Sequence, residues 1–160
     1  MITPNSILSI LTSREPPVSW LIPDLLPREY LVTLLGDAGA GKSALSYTMA
    51  LAIATQTPFL GRELGAPQTV LYFDQENSRP DRNEYVRRAW HGLGRPNQTH
   101  LEQHCWPRHF ALGDKDWHKR AAEYVIAIRP ALIVFDTATP CCAITDENDN
   151  AEASRVIGHF

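Results

Sequence analysis

What the 160 residues lack narrows the field first. No apolar run approaches the ~18 residues that a membrane-crossing helix needs, so no membrane partner is expected. The opening stretch, MITPNSILSILTSREPP, has neither a basic start nor a long apolar core, and is read as no signal peptide. The three cysteines (Cys105, Cys141, Cys142) form no Cys-x-x-Cys pair, and an odd count without a leader suits a reducing compartment. These features read as a cytoplasmic protein. A net charge of −3 supplies no global basic field, so nucleic-acid binding, if present, rests on a local patch. Internal repeats and low-complexity tracts are absent. His100, His104, Cys105 and His109 match no established zinc spacing. Asp146, Glu147, Asp149 and Glu152 suggest a calcium loop, but Ala151 stands where that loop needs glycine, and an acid-rich helix start is the simpler reading.

What is present has the proportions of an ordinary globular domain, with 44% hydrophobic and 21% charged residues. Residues 1–17 read as an N-terminal extension, a short helix and then a stiff linker through Pro16-Pro17. The run EYLVTLL, 29–35, is apolar and ends at Gly36, as a buried parallel strand would. Residues 42–55 are rich in helix formers and place Leu45, Met49, Ala52 and Ile53 on one face. TVLYFDQ, 69–75, and ALIVFDT, 131–137, read as two further buried strands. Helices are expected from Pro80 to Gly92 and from Asp114 onward, the latter with Trp117, Ala121, Tyr124, Val125 and Ile128 as its apolar stripe. A short strand at 109–112, an acidic turn at 145–150 and a final helix from Ala151 complete the pattern. Strands alternating with helices imply a parallel α/β sheet flanked by helices.

Three motifs carry chemistry. In LLGDAGAGKSAL, Gly36-x4-Gly41-Lys42-Ser43 joins an expected strand to an expected helix, the setting of a phosphate-binding loop. Gly36, Asp37, Ala38, Gly39, Ala40, Gly41, Lys42, Ser43 and Ala44 would line the phosphates of ATP. Backbone N–H groups there point inward at the positive end of the helix dipole. Lys42 would reach the β- and γ-phosphates and Ser43 would offer its hydroxyl to Mg²⁺. Asp136, at the end of its strand, would hold the same Mg²⁺ through water, with Thr137 in support. After the middle strand stand Asp74, Gln75 and Glu76. A hydrolase needs a group to activate water, and Glu76 is the first candidate, with Asp74 second.

The order GDAGAGKS, VLYFDQENS, LIVFDT resembles the RecA-like P-loop ATPase core, and within it the hexameric replicative helicases of the plasmid RepA type and related AAA-domain ATPases. The flanks WLIPDLLPREYLVTLLGDAGAGKS and FLGRELGAPQTVLYFDQENS, and the later DENDNAE, carry the same likeness, over residues 18–160. The resemblance implies ATP at subunit interfaces of a ring, a hexamer of the full-length protein, single-stranded DNA as track, Glu76 as water activator and Lys42 as catalytic cation. It also implies that the strand following the Asp136 strand inserts beside the phosphate-loop strand. That strand is expected beyond Phe160, so residues 18–160 read as the N-terminal part of a RecA-like domain.

The segment 78–95 holds five arginines (Arg79, Arg82, Arg87, Arg88, Arg95), the one basic concentration in the chain. A contact to nucleic acid or to a neighbouring subunit competes there with a solvated helix face bearing pairs such as Glu84–Arg88. Two further functions stay open beside the motor: a P-loop kinase acting on a small molecule, and a nucleotide-dependent regulator that does not hydrolyse.

Overall fold

In a computed structural model, residues 17–96 and 115–137 are described. Their elements in chain order are β1 (Trp20–Ile22), β2 (Leu26–Pro27), α1 (Lys42–Thr55), β3 (Val70–Asp74), α2 (Arg79–Gly92), α3 (Lys115–Ile128) and β4 (Leu132–Asp136). The expected extension at 1–16, strand at 109–112, histidine cluster, three cysteines, acidic turn and final helix lie outside the described residues, as does the Trp117 side chain.

β3 and β4 pair in parallel, with Val70 opposite Leu132 and Asp74 opposite Asp136. Their shared composition explains the pairing: VLYFD and LIVFD are apolar to their last residue, and every residue of β3 is buried. A strand points alternate side chains to opposite faces. Parity therefore puts Val70, Tyr72, Asp74, Leu132, Val134 and Asp136 on one face, and Leu71, Phe73, Ile133 and Phe135 on the other. Phe73 and Phe135 stack on that second face with centroids 5.1 Å apart. α1 covers the first face. Tyr47 of α1 stacks on Tyr72 at 4.1 Å and on Tyr85 of α2 at 5.5 Å, so one aromatic column runs from the sheet through both helices.

Helix α1 has the expected bounds, but its inward face is different. Leu45 is exposed and Met49 only half-buried, while Ser46, Tyr47, Ala50 and the run Leu51–Thr55 are buried. The C-terminal half is enclosed all round because Leu21 and Ile22 of β1, Leu26 of β2, Phe59 and Leu64 close over it in one core cluster. The helix stops at Gln56, which takes a left-handed conformation (φ 57°) and donates its N–H back to the Ala52 carbonyl. Helix α2 begins where Ser78 accepts the Asp81 N–H, with Pro80 in the first turn, where its missing N–H has no helical acceptor to lose.

Two features depart from the sequence reading. The antiparallel pair β1–β2, turned through Pro23-Asp24-Leu25, was not expected; it is too short to show periodicity. The expected strand at 29–35 does not form. Tyr30, Leu31, Val32, Leu34 and Leu35 are 47–84% exposed, and no ladder includes them. The cause is pairing rather than composition. A buried parallel strand needs a hydrogen-bonded neighbour, and the β3–β4 pair bonds to no further described strand.

Candidate functional site

The loop from Gly36 to Gly41 is exposed throughout and leads into α1. Gly39 (φ +76°) and Gly41 (φ +87°) both take the left-handed backbone that a side chain resists. Gly36 does not. Gly41 caps α1 without any side-chain hydrogen bond, and no acidic residue stands in the first turn. The first N–H groups of a helix have no acceptor within it, so this terminus presents donors and positive dipole to an anion. Lys42 curls over the loop, donating from Nζ to the carbonyls of Gly36 (2.7 Å) and Asp37 (2.9 Å). An ammonium has three protons, which leaves one directed elsewhere. Asp37, Ala38, Ala40 and Ala44 are exposed around it, and Ser43 is half-buried at the start of the helix.

The other acidic residues meet at the C-terminal end of the β3–β4 pair. Asp74 and Asp136 are side by side in register and buried, at 1% and 6% exposure. Their surroundings are opposite in kind. Asp74 accepts from Tyr47 Oη (2.6 Å) and Asn77 Nδ2 (3.0 Å) on Oδ2, and from the N–H groups of Glu76 (3.1 Å) and Asn77 (2.9 Å) on Oδ1. Its acceptor capacity is filled by protein donors. Asp136 accepts from Tyr72 Oη at 2.7 Å on Oδ2, and no described residue donates to its Oδ1.

This contrast sorts the carboxylates. Asp74, the second candidate for activating water, is tied into the turn after β3, where its Oδ1 holds the backbone N–H groups of Glu76 and Asn77. Glu76 stands exposed just beyond, with its side chain uncommitted among the described residues. Arg82 of α2 reaches back to the Asp74 carbonyl at 3.3 Å. The rest of the arginine-rich segment reads as a solvated face: Arg88 pairs with Glu84 at 2.8 Å, Arg87 with Glu84 at 3.5 Å, and Arg95 lies 5.8 Å over the Trp90 ring.

Between loop helix and acidic end runs a buried chain of hydroxyls. Ser46 Oγ lies 3.0 Å from the Ser43 carbonyl and 2.6 Å from Tyr72 Oη, which donates to Asp136. Burial pushes the Tyr72 phenol far above its ordinary range, and the Asp136 carboxylate adds to the rise, so the hydroxyl remains a donor. Tyr72, Ser46 and Tyr47 were not among the residues that the motifs single out. Their signal was present: adjacent hydroxyl side chains, Ser46-Tyr47, within a helix rich in Ala and Leu, and a tyrosine two residues before an aspartate within VLYFD.

The residues fit a magnesium–nucleotide group in kind. Among the described residues no cluster of three or more His, Cys, Asp or Glu could hold a metal by itself. Mg²⁺ characteristically takes one or two protein oxygens and completes its shell with water and phosphate, which a hydroxyl at Ser43 and an Asp136 oxygen without a donor among the described residues would suit.

A glycine-strained loop feeding an uncapped helix, beside a parallel sheet with acids at its C-terminal end, defines a nucleotide-binding α/β protein of the P-loop class. A family model described as AAA domain matches residues 4–160, and the chain belongs to this family of nucleotide-binding, ATPase-type domains. No curated protein matches it. No helix among the described residues is long and apolar enough to cross a membrane.

Proposed function

We propose that this chain carries the Mg²⁺-dependent ATP-hydrolysing site of a DNA-processing motor with a RecA-like core, of the kind found in RepA-type hexameric helicases. The observation that carries the reading is the contrast between the paired aspartates. Asp74 is saturated by the protein, whereas Asp136 has one oxygen to which no described residue donates. Parallel, in-register pairing of the strand before Glu76 with the strand ending at Asp136 supports the RecA-like assignment. In that reading residues 29–35 belong to the same sheet, and their exposed apolar side chains are what such a strand presents before a neighbour pairs with it.

Each part of the site has a role within this proposal. The N–H groups of 36–44 and the Lys42 ammonium bind the phosphates. Ser43 and Asp136 hold Mg²⁺, which when bound neutralises charge on the phosphates. Glu76 orients and deprotonates the attacking water, held at its post by the Asp74 turn. The partners are further copies of this chain in a ring, and single-stranded DNA.

The test is phosphate release from ATP by the full chain, with and without single-stranded DNA. Mg²⁺-dependent release that DNA stimulates is expected. Glu76→Gln should keep ATP binding and lose hydrolysis; normal turnover by that variant would remove Glu76 from the mechanism. Label appearing on a small-molecule acceptor would instead identify a kinase, and binding with no release under either condition a regulator.

A further inference from the structure

A phenol hydroxyl carries one proton, and so does a serine hydroxyl. The three contacts of the buried chain therefore cannot each hold a proton at once. An ionised carboxylate only accepts, so the Tyr72 proton goes to Asp136 Oδ2, over 2.7 Å. The Tyr72 oxygen is then left to accept, and Ser46, 2.6 Å away, is its donor. The Ser43 carbonyl, 3.0 Å from the same Ser46 oxygen, competes for that proton. The chain thus has a direction: Ser46 to Tyr72 to Asp136. One end touches the backbone of Ser43, the second residue of the phosphate-loop helix. The other fixes one oxygen of a carboxylate whose second oxygen meets no described donor.

The rest of the Tyr72 side chain is held so that its hydroxyl has no other reach. The residue is 2% exposed, and its ring is stacked on Tyr47 at 4.1 Å. Register adds a further constraint. Tyr72 lies opposite Val134, so Asp136 is its diagonal neighbour on the same face, within reach of a long side chain. Without the phenol donor, both oxygens of Asp136 would be free of described partners and its carboxylate would turn about its last bond.

We propose that Tyr72 is a positioning residue for Asp136: its hydroxyl pins Oδ2, aims Oδ1 at the cation shared with Ser43, and ties that aim to the phosphate-loop helix through Ser46. This rests on the reading of Asp136 as a Mg²⁺ carboxylate. A tyrosine in this place acts through the carboxylate and touches neither cation nor nucleotide.

The experiment measures binding of a fluorescent ATP analogue to the full chain as Mg²⁺ is varied, with a chelator-only arm, for wild type, Tyr72→Phe, Asp136→Asn and the double variant. Phenylalanine keeps the ring and its stacking and removes the hydroxyl alone. In Tyr72→Phe, nucleotide binding in chelator should match wild type, because the loop is untouched. The Mg²⁺ concentration at half-effect should rise about tenfold, the lower end of what loss of a partner to a metal ligand costs. The double variant should be no worse than Asp136→Asn, because Tyr72 acts only through that carboxylate. Wild-type Mg²⁺ dependence in Tyr72→Phe overturns the proposal, as does an additive double variant. Wild-type Mg²⁺ dependence in Asp136→Asn overturns the assignment of the cation to Asp136 itself, and the positioning role with it. If circular dichroism shows Tyr72→Phe unfolded, Ser46→Ala takes its place: a smaller shift in the same direction is expected, and no shift overturns the coupling.

Discussion

At the scale of single residues, two aspartates that look alike in the sequence differ in what surrounds them. Asp74 ends VLYFD and Asp136 ends LIVFD, yet one receives four hydrogen bonds and the other, among the described residues, one. Asp74→Asn should therefore be a stability variant, losing about 1–3 kcal/mol because an amide N–H₂ would face donors it cannot accept from. Asp136→Asn should cost much less and instead weaken the Mg²⁺ dependence of nucleotide binding. Urea unfolding of both variants checks the contrast; equal losses would undo it. Gly41 gives a second prediction. A Cβ there would meet nothing within 4 Å, so Gly41→Ala tests backbone angle alone. At φ +87° an alanine should lose about 1–2 kcal/mol, or the loop should relax and ATP affinity fall; unfolding and binding measured together distinguish these outcomes.

Among elements, α2 shows how little of a helix's hold comes from its charged face. Ser78 caps it by accepting from the Asp81 N–H and donating to the Asp81 carboxylate, closing the first turn both ways. Ser78→Ala should destabilise the chain by about 1 kcal/mol, with Ser78→Asp recovering most of it. Along the same helix, the hydrogen bond from Arg88 holds the Glu84 carboxyl below its usual range. A carboxyl lowered in the folded state contributes above its unfolded pKa and loses that contribution as pH falls through the folded value. The melting difference between wild type and Glu84→Gln should accordingly be small near neutrality, because both partners are exposed, and fade as pH falls below the ordinary glutamate range. A difference that grows in acid would contradict this.

For the molecule as a whole, one core cluster lies between β3, α1 and the β1–β2 pair, and Leu71 and Phe73 are buried on the other face of the sheet. Leu71 is 1% exposed and Leu35 is 84% exposed. Leu71→Ala should cost about 2–5 kcal/mol, and Leu35→Ala within about 0.5 kcal/mol. Denaturant midpoints compare them directly. A loss of several kcal/mol at Leu35 would mean that the ribbon 30–35 is covered in solution.

The sequence by itself determined the phosphate loop, the bounds of α1 and α2, and the two apolar strands that pair in parallel, because each is specified locally. Glycines impose backbone angles, Ser78 and Pro80 start a helix, and an unbroken apolar run demands burial. Tertiary structure alone decided the rest. Residues 29–35 are as apolar as β3, yet lie exposed, because a strand is a property of two chains' hydrogen bonds and not of one chain's composition. Helix α1 buries Ser46 and Tyr47 in place of Leu45, because the sheet presents a tyrosine and an aspartate for them to meet. The surroundings of the two aspartates differ for the same reason. Which donors reach a carboxylate depends on register and on the helix laid across it, and neither is written in the residues next to it.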